Sequence, residues 1–344
     1  MDIHNRRALK QMAGSRLAKA TYHPGRLALI HTAVGLGAAF LVTLIGYLLN
    51  MRMEQAGGLS GMGMRSVLGT VQTTLQYIVN LAMPFWEMGF IYAALQMARG
   101  EWVGPQSLTE GFRRFGPVLR LRLMVGLIYA GAAFACAYVC SFLFVLTPMS
   151  QPMMDLMMPM MEAGADMEAL MAAVEAIPQG ELIRMVVPYL VIFGIHYLAV
   201  ALFLCYRFRF ANFIVMDEPG TGALRALRGS RFLARRRGWA LLKLDLSFWW
   251  FYLLLGVAVV VSFGDELLKL AGIALPMSED VAYLVFYLLG ILVQLVLFRF
   301  AYSHVQTTWA VAYEELRQAP EVETVQRAPV QTEVPKALPW EENE

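Results

Sequence analysis

Residues Leu123–Leu146 read LMVGLIYAGAAFACAYVCSFLFVL, a run of 24 residues that contains no charged side chain. A helix needs about 20 predominantly apolar residues to cross the hydrocarbon core of a bilayer. Because no water is available there to bond the backbone, such a run satisfies its N–H and C=O groups internally, as a helix. Arg120 and Arg122 stand immediately before it. The stretch therefore predicts a transmembrane helix whose first end meets the membrane–water interface.

Five further apolar runs lie on either side of this one. They are Leu27–Leu49, Val71–Met97, Met185–Tyr206, Leu246–Phe263 and Val281–Phe298. The last two are short, and Trp, Tyr and basic residues at their ends suit the interface and lengthen them. The whole chain of 344 residues is 58% hydrophobic and 16% charged, whereas soluble domains are about 25% charged. We predict an all-α, polytopic membrane protein with about six transmembrane helices and additional cytoplasmic amphipathic helices.

The basic residues are distributed unevenly among the segments that connect these runs. Alternate segments, beginning with the N-terminal arm, hold 24 of the 28 Lys and Arg residues, and the other connections hold 4. By the positive-inside rule the basic segments face the cytoplasm. We therefore predict a multi-pass membrane protein with both termini in the cytoplasm. The composition argues against a secreted disulfide scaffold and a disordered regulator.

The chain divides into three parts by composition. Residues 1–26 form a basic arm in which apolar side chains recur at helical spacing, which predicts an amphipathic helix on the cytoplasmic leaflet. Residues 27–317 hold the six predicted spans. Residues 318–344 are acidic, rich in Pro, Glu and Gln, and lack an apolar period, so we predict a disordered cytoplasmic tail. The apolar residues of the arm are Leu9, Met12, Ala13, Leu17 and Ala20.

A methionine-rich insert, residues 148–184, separates the third and fourth predicted spans on the extracytoplasmic side. Between Met149 and Glu181 it contains nine Met residues, six acidic residues and no basic residue. Thioethers are soft ligands that suit Cu(I), so copper binding is one interpretation. The alternative is that Met fills irregular apolar gaps. Because no His or Cys completes a ligand set, we expect neither a metal site nor a cofactor.

Polar residues in the second and fourth predicted spans are candidates for an intramembrane site, because ionisable groups are costly in hydrocarbon. Glu87 follows Pro84 by three residues, and proline frees a backbone carbonyl and bends a helix. Asn80 precedes both on the same span, and His196 is near the middle of the fourth. One interpretation is a polar path for a solute, centred on Glu87. The other is that Glu87 pairs with a neighbour such as His196 or Arg299 and stabilises the bundle.

The connection between the fourth and fifth predicted spans is the most basic segment of the chain. It contains a predicted basic helix with Leu224, Leu227 and Phe232 at helical spacing. Basic residues directly beside a membrane attract anionic lipid by about 1 kcal/mol each. Anionic headgroups of the bilayer are therefore the expected partner, and nucleic acid is not. The candidate lipid contacts are Arg225, Arg228, Arg231, Arg235, Arg236 and Arg237.

Several short motifs occur between Arg99 and Leu316. They are Arg99-Gly100-Glu101 with Phe112 and Phe115, Met216-Asp217-Glu218-Pro219 with Ala226-Leu227, Ser230 and Gly238, Leu246-Ser247-Phe248 with Trp249-Trp250, and Ala312-Tyr313 with Leu316. With these motifs the chain resembles the uncharacterised bacterial membrane family known as domain of unknown function nine-seven-five. The resemblance covers roughly residues 27–316. It implies a bacterial inner-membrane protein with several spans, and it implies no particular activity.

The sequence contains no recognised catalytic pattern, neither a zinc-protease helix motif nor a nucleophile elbow nor a phosphate-cradling glycine loop. We therefore expect no enzymatic activity. The leading interpretation is a membrane-organising protein that interacts with lipid or with other membrane proteins. The alternatives are a secondary transporter or permease that uses a polar path near Glu87, and a copper-binding protein that uses the methionine-rich insert.

Overall fold

The computed structural model of the chain describes residues 5–56, 59–146, 179–218, 220–273 and 276–318. Regular structure throughout these ranges is helical, and the ranges contain no strand. The predicted all-α, polytopic fold is confirmed. Most of the predicted methionine-rich insert and nearly all of the predicted acidic tail lie outside the described residues.

Thirteen α-helices, numbered in chain order, occur in the described ranges. They are α1 Arg6–Ala18, α2 Pro24–Ala56, α3 Leu59–Arg99, α4 Glu110–Arg113, α5 Phe115–Val145, α6 Gln179–Phe208, α7 Ala211–Asp217, α8 Ala223–Ala234, α9 Gly238–Leu246, α10 Trp249–Ser262, α11 Gly264–Leu270, α12 Glu279–Leu297 and α13 Ser303–Arg317. A 3-10 turn, Pro105–Thr109, precedes α4, and a π-helical turn, Phe298–Tyr302, joins α12 to α13.

Five stretches within the described ranges are long and apolar enough to cross a membrane. They are Pro24–Leu48, Gly69–Arg99, Phe115–Val145, Tyr189–Asp217 and Val281–Arg317. A sixth span exists only if α9 and α10 are taken together, because these two helices are bent by 61° at a short break. Each of the six predicted runs therefore falls on helical structure, but the fifth does so in two pieces.

The predicted fifth span, Leu246–Phe263, is wrong as a single straight helix. Its α-helical part, α10, is only 14 residues long, and a tight turn at Ser247 and Phe248 separates it from α9. The Ser247 side-chain hydroxyl donates to the carbonyl oxygen of Leu244. Serine side chains that bond the nearby backbone compete with the helical hydrogen-bond pattern. This hydrogen bond accompanies a break within an otherwise apolar run.

Contacts between Cα atoms divide the chain into two compact units, residues 1–113 with 243–344, and residues 114–242. In the first unit α2 packs along α3, and α10 packs along α12. Glycine permits these close approaches, since a Cβ atom on Gly46 would collide with the side chain of Gln72, and one on Gly290 with Ser262 Oγ. In the second unit α5 packs along α6, and α8 contacts α5, α6 and α7.

The first unit has a buried core where α1, α3 and α13 meet. Leu9 of α1 and Trp309 and Tyr313 of α13 have almost no exposed surface. Arg99 of α3 and Glu314 of α13 form an ion pair, with Arg99 Nε 2.8 Å from Glu314 Oε1. The predicted arm helix is therefore present at α1, and the centre of its apolar face is covered by protein rather than by lipid.

Basic residues of α1 also reach the broken helix α9. Lys10 Nζ donates to the carbonyl oxygen of Ser247 at 2.7 Å and lies 3.9 Å from the centre of the Phe248 ring. Arg6 Nη1 donates to the carbonyl oxygen of Lys243 at 3.3 Å. Burial and the charge of Arg6 lower the pKa of Lys10. Because the last carbonyl groups of a helix lack partners within it, α1 acts as a cap on the end of α9.

Candidate functional site

A cavity of about 830 Å³ lies in the second unit, where the end of α6, the second half of α8 and the start of α9 meet. Apolar side chains make up most of its surface. Aromatic residues from all three helices contribute to it: Phe203, Tyr206, Phe232 and Trp239. Five arginines line the same cavity, one from α6, two from α8 and two from the turn after α8: Arg207, Arg228, Arg231, Arg235 and Arg236. The cavity is therefore both apolar and strongly basic.

The position of the α8 arginines follows from the two faces of that helix. Six of its alanine, leucine and serine residues are buried on one face. Arg228, Arg231 and the C-cap Arg235, spaced three and four residues apart, share another face. Ser230 on the buried face donates to the carbonyl oxygen of Arg207 at 3.0 Å and also accepts a backbone N–H from the start of α7. These two hydrogen bonds hold α8 against the end of α6.

The turn after α8 brings a further arginine to the cavity. Arg236 has a φ of 62°, in the left-handed region, where a residue with a side chain is disfavoured by roughly 1–2 kcal/mol. Glycine usually occupies this position after a helix. Backbone bonds fix the turn, because Arg235 N–H donates to Phe232 and Arg237 N–H donates to Ala234, each at 3.1 Å. The chain thus keeps a charged residue in a conformation that favours glycine.

The electrostatic character of the cavity is uniform. The residues that line it include no carboxylate, and within the part of the chain that the structure describes its five arginines form no ion pair. The guanidinium carbon of Arg207 lies 5.4 Å from the centre of the Phe203 ring, a cation–π contact. Since arginine stays charged in proteins, the cavity attracts anions, and its apolar surface can also accept hydrocarbon.

The cavity contains four of the six arginines that the sequence predicts as lipid contacts. Arg225, which is exposed like these four arginines, does not line the cavity, and Arg237 directs its Nη1 to the carbonyl oxygen of Leu233 at 3.3 Å. Arg207 and Trp239 also line the cavity, but neither is among the residues that the sequence predicts as lipid contacts. Both stand beside apolar runs, at positions where basic side chains extend toward the interface and tryptophan is enriched. Their positions predict that each residue lies at the membrane interface, but they do not indicate that the two residues share a cavity.

The residues predicted as an intramembrane site belong to different units. Asn80, Pro84 and Glu87 lie on α3, which continues through Pro84 as one helix, whereas His196 lies on α6. Asn80 accepts a hydrogen bond of 3.1 Å from the glutamine one turn earlier, and Glu87 is half-buried and has an interaction partner. His196 Nδ1 lies 2.8 Å from a carbonyl oxygen of its own helix. The polar path near Glu87 stays a prediction.

Metal binding has no support among the residues that the structure describes. In those ranges no group of three or more His, Cys, Asp or Glu residues could hold a metal ion. The predicted copper-binding methionines, between Met149 and Met171, lie outside the described residues. The copper interpretation of the insert therefore stays a prediction.

Comparison with known proteins gives a family and no closer relative. The family model described as "Protein of unknown function (DUF975)" matches residues 1–320 of the chain. This is the family that the sequence motifs resemble. No curated protein and no solved structure matches the chain.

Proposed function

Since the chain belongs to the DUF975 family of proteins of unknown function, we propose its function from the cavity itself: it is a membrane protein that binds the headgroups of anionic phospholipids. The observation that carries the proposal is the meeting of five arginines and four aromatic side chains around one cavity. Arginine suits this role because its planar guanidinium group donates two parallel hydrogen bonds to a phosphate.

Two features favour a lipid over a soluble anion. Most of the cavity surface is apolar, so a small hydrated anion would leave it uncovered. Leu202 and Phe203, which line the cavity, belong to the stretch Tyr189–Asp217, which is apolar enough to cross a membrane. A phospholipid supplies both parts that this surface requires, a phosphate for the arginines and hydrocarbon for the apolar residues.

In this proposal the protein lies in a bacterial inner membrane, with both termini and the cavity arginines on the cytoplasmic side. The support is the distribution of basic residues, because 24 of the 28 fall in alternate segments and such segments face the cytoplasm. The proposed role is to organise anionic lipid around the protein or to present it to a membrane partner. It requires binding and no catalytic group.

The test is a lipid titration of the full-length protein in a non-ionic detergent, followed by native mass spectrometry. We expect phosphatidylglycerol to bind at least about tenfold more tightly than phosphatidylcholine. Replacing Arg228, Arg231 and Arg235 together by Gln should weaken phosphatidylglycerol binding by about 3 kcal/mol, since each basic residue contributes about 1 kcal/mol. Raising the salt concentration should weaken binding to the unmodified protein.

Arg225→Gln is the control, because it removes one positive charge from the same helix at a position outside the cavity. Its effect is compared with the average effect of each charge removed inside the cavity. This variant should bind phosphatidylglycerol almost as tightly as the unmodified protein. Equal binding of the two lipids, or an equal loss of affinity per charge inside and outside the cavity, would contradict the proposal.

A further inference from the structure

The number of arginines in the cavity exceeds what one phosphate can satisfy. A phosphodiester carries one negative charge and is bound bidentately by one or two guanidinium groups. Five arginines line the cavity, and no carboxylate there offsets them. With a single phosphate bound, several like charges would remain close together on one mostly apolar surface and would repel one another. A ligand with more than one phosphate neutralises this cluster better.

The positive charges are also spread along a line rather than gathered at one point. Arg228, Arg231 and Arg235 follow one face of α8, and at 1.5 Å per residue their Cα atoms extend over roughly 10 Å. Arg207 is held by a different helix, and Arg236 by the turn after α8. Two separated phosphates match this distribution, whereas two phosphates joined as a diphosphate would leave one end of the row unpaired.

Beside the cavity, α6 continues as an exposed apolar surface. Ile195, Leu198 and Leu202 are spaced three and four residues apart on this helix and therefore share one face. Their side chains are all exposed, and Leu202 also lines the cavity. Acyl chains of a lipid whose headgroup occupies the cavity can run along this face. A lipid with four chains would cover more of it than a lipid with two.

We propose that the cavity selects diphosphatidylglycerol, a lipid with two phosphodiesters joined through glycerol and four acyl chains, over lipids that carry one phosphate. This inference rests on the proposed function, because it names the lipid class that the same site prefers. Three separate observations support this preference: the number of arginines, the length of the arginine row and the adjoining apolar face of α6.

The experiment compares three lipids on the full-length protein in non-ionic detergent: diphosphatidylglycerol, phosphatidylglycerol at equal total phosphate, and a polyprenyl diphosphate. Native mass spectrometry gives the dissociation constant of each. We expect diphosphatidylglycerol to bind about tenfold more tightly than either of the others. The double variant Arg207→Gln with Arg235→Gln removes one charge at the end of α6 and one at the end of α8. It should reduce this preference to less than about threefold. The control Arg225→Gln should keep it.

The outcomes separate this inference from the proposed function. Equal affinity for diphosphatidylglycerol and phosphatidylglycerol, both above phosphatidylcholine, would overturn the inference and leave anionic-lipid binding intact. Tighter binding of polyprenyl diphosphate would also overturn it, because the arginines would then converge on one point. If no anionic lipid binds more tightly than phosphatidylcholine, both proposals fail. Should a variant elute as an aggregate, Lys substitutions at the same positions, which retain charge but not the bidentate geometry, provide the comparison.

Discussion

At the scale of single residues, the most informative position is Arg236. Its left-handed backbone conformation is one that residues with side chains rarely adopt. Such a conformation persists where the surrounding structure fixes it, and it is common at functional sites. Here the turn also places the residue in the lining of the basic cavity. Strain and charge therefore coincide at one residue, and they can be separated by substitution.

Arg236→Gly should raise thermal stability while it lowers lipid affinity. Glycine adopts a positive φ without a steric penalty, so we expect the protein to be more stable by about 0.5–1 kcal/mol. Loss of one cavity charge should weaken phosphatidylglycerol binding about fivefold, from the contribution of a single basic residue. Differential scanning fluorimetry in detergent and the lipid titration measure the two effects. Arg236→Lys, which keeps the charge and the strain but loses the bidentate geometry, should leave thermal stability unchanged and lower lipid affinity less than Arg236→Gly does. A destabilised Arg236→Gly variant with normal binding would contradict this account.

At the scale of helices, α1 shows how packing differs from what its sequence predicts. The apolar residues of the arm predict a helix that rests on lipid, and the helix is present, but Leu9 and Ala13 are buried in the first unit. The reason is that α13, almost three hundred residues later in the chain, brings Trp309 and Tyr313 to the same place. A periodic pattern indicates that a face is apolar, but it does not identify the surface that covers that face.

Leu9→Asp tests whether protein or lipid covers α1. An unpaired carboxylate in a protein core is strongly destabilising, so this change should lower the free energy of unfolding by about 3–5 kcal/mol. The control is Gln11→Asp, which introduces the same charge at an exposed position of the same helix, and it should alter stability by less than about 0.5 kcal/mol. Thermal unfolding in detergent measures both. Equal, small effects of the two substitutions would mean that α1 is not part of the core.

The sequence predicts the helices of this protein better than it predicts the site. Long apolar runs locate the spans because the bilayer imposes a helix on any such run. The break at Ser247 escapes prediction because it is a local turn of the backbone, which mean hydropathy does not reveal. Four cavity arginines are predicted because they cluster in the chain. Arg207 and Trp239 are missed because only the packing of α6 against α8 and α9 brings them to that cluster.

At the scale of the whole molecule, the first unit is built from two separated parts of the chain. Residues 1–113 and 243–344 form it, and residues 114–242 form the second unit between them. Helix α10 and the helices that follow it therefore complete a core that α1, α2 and α3 begin. Neither part contains the complete set of packing partners for this unit.

A chain that ends after Tyr302 lacks α13 and should fail to form the first unit. It loses the buried Trp309 and Tyr313 and the ion-pair partner of Arg99, and removal of one large buried aromatic alone costs about 3–5 kcal/mol. Fluorescence-detected size-exclusion chromatography should show aggregated protein or none. A chain that ends after Gln318 loses only the predicted disordered tail and should elute as a single sharp peak. A sharp peak and an unchanged melting temperature for the shorter chain would show that α13 is dispensable.

The separation of the two parts of the first unit has a consequence for biosynthesis. After residue 113 has been translated, the ribosome must add residues 114–302 before α13 is complete enough to begin folding, which takes about 10–40 s at a typical rate of synthesis. Throughout that time the apolar face of α1 lacks its contacts with α13, although the second unit is contiguous in the chain and can form as soon as its own helices are inserted. The nascent arm must therefore be sheltered by lipid or by the insertion machinery until translation is almost finished.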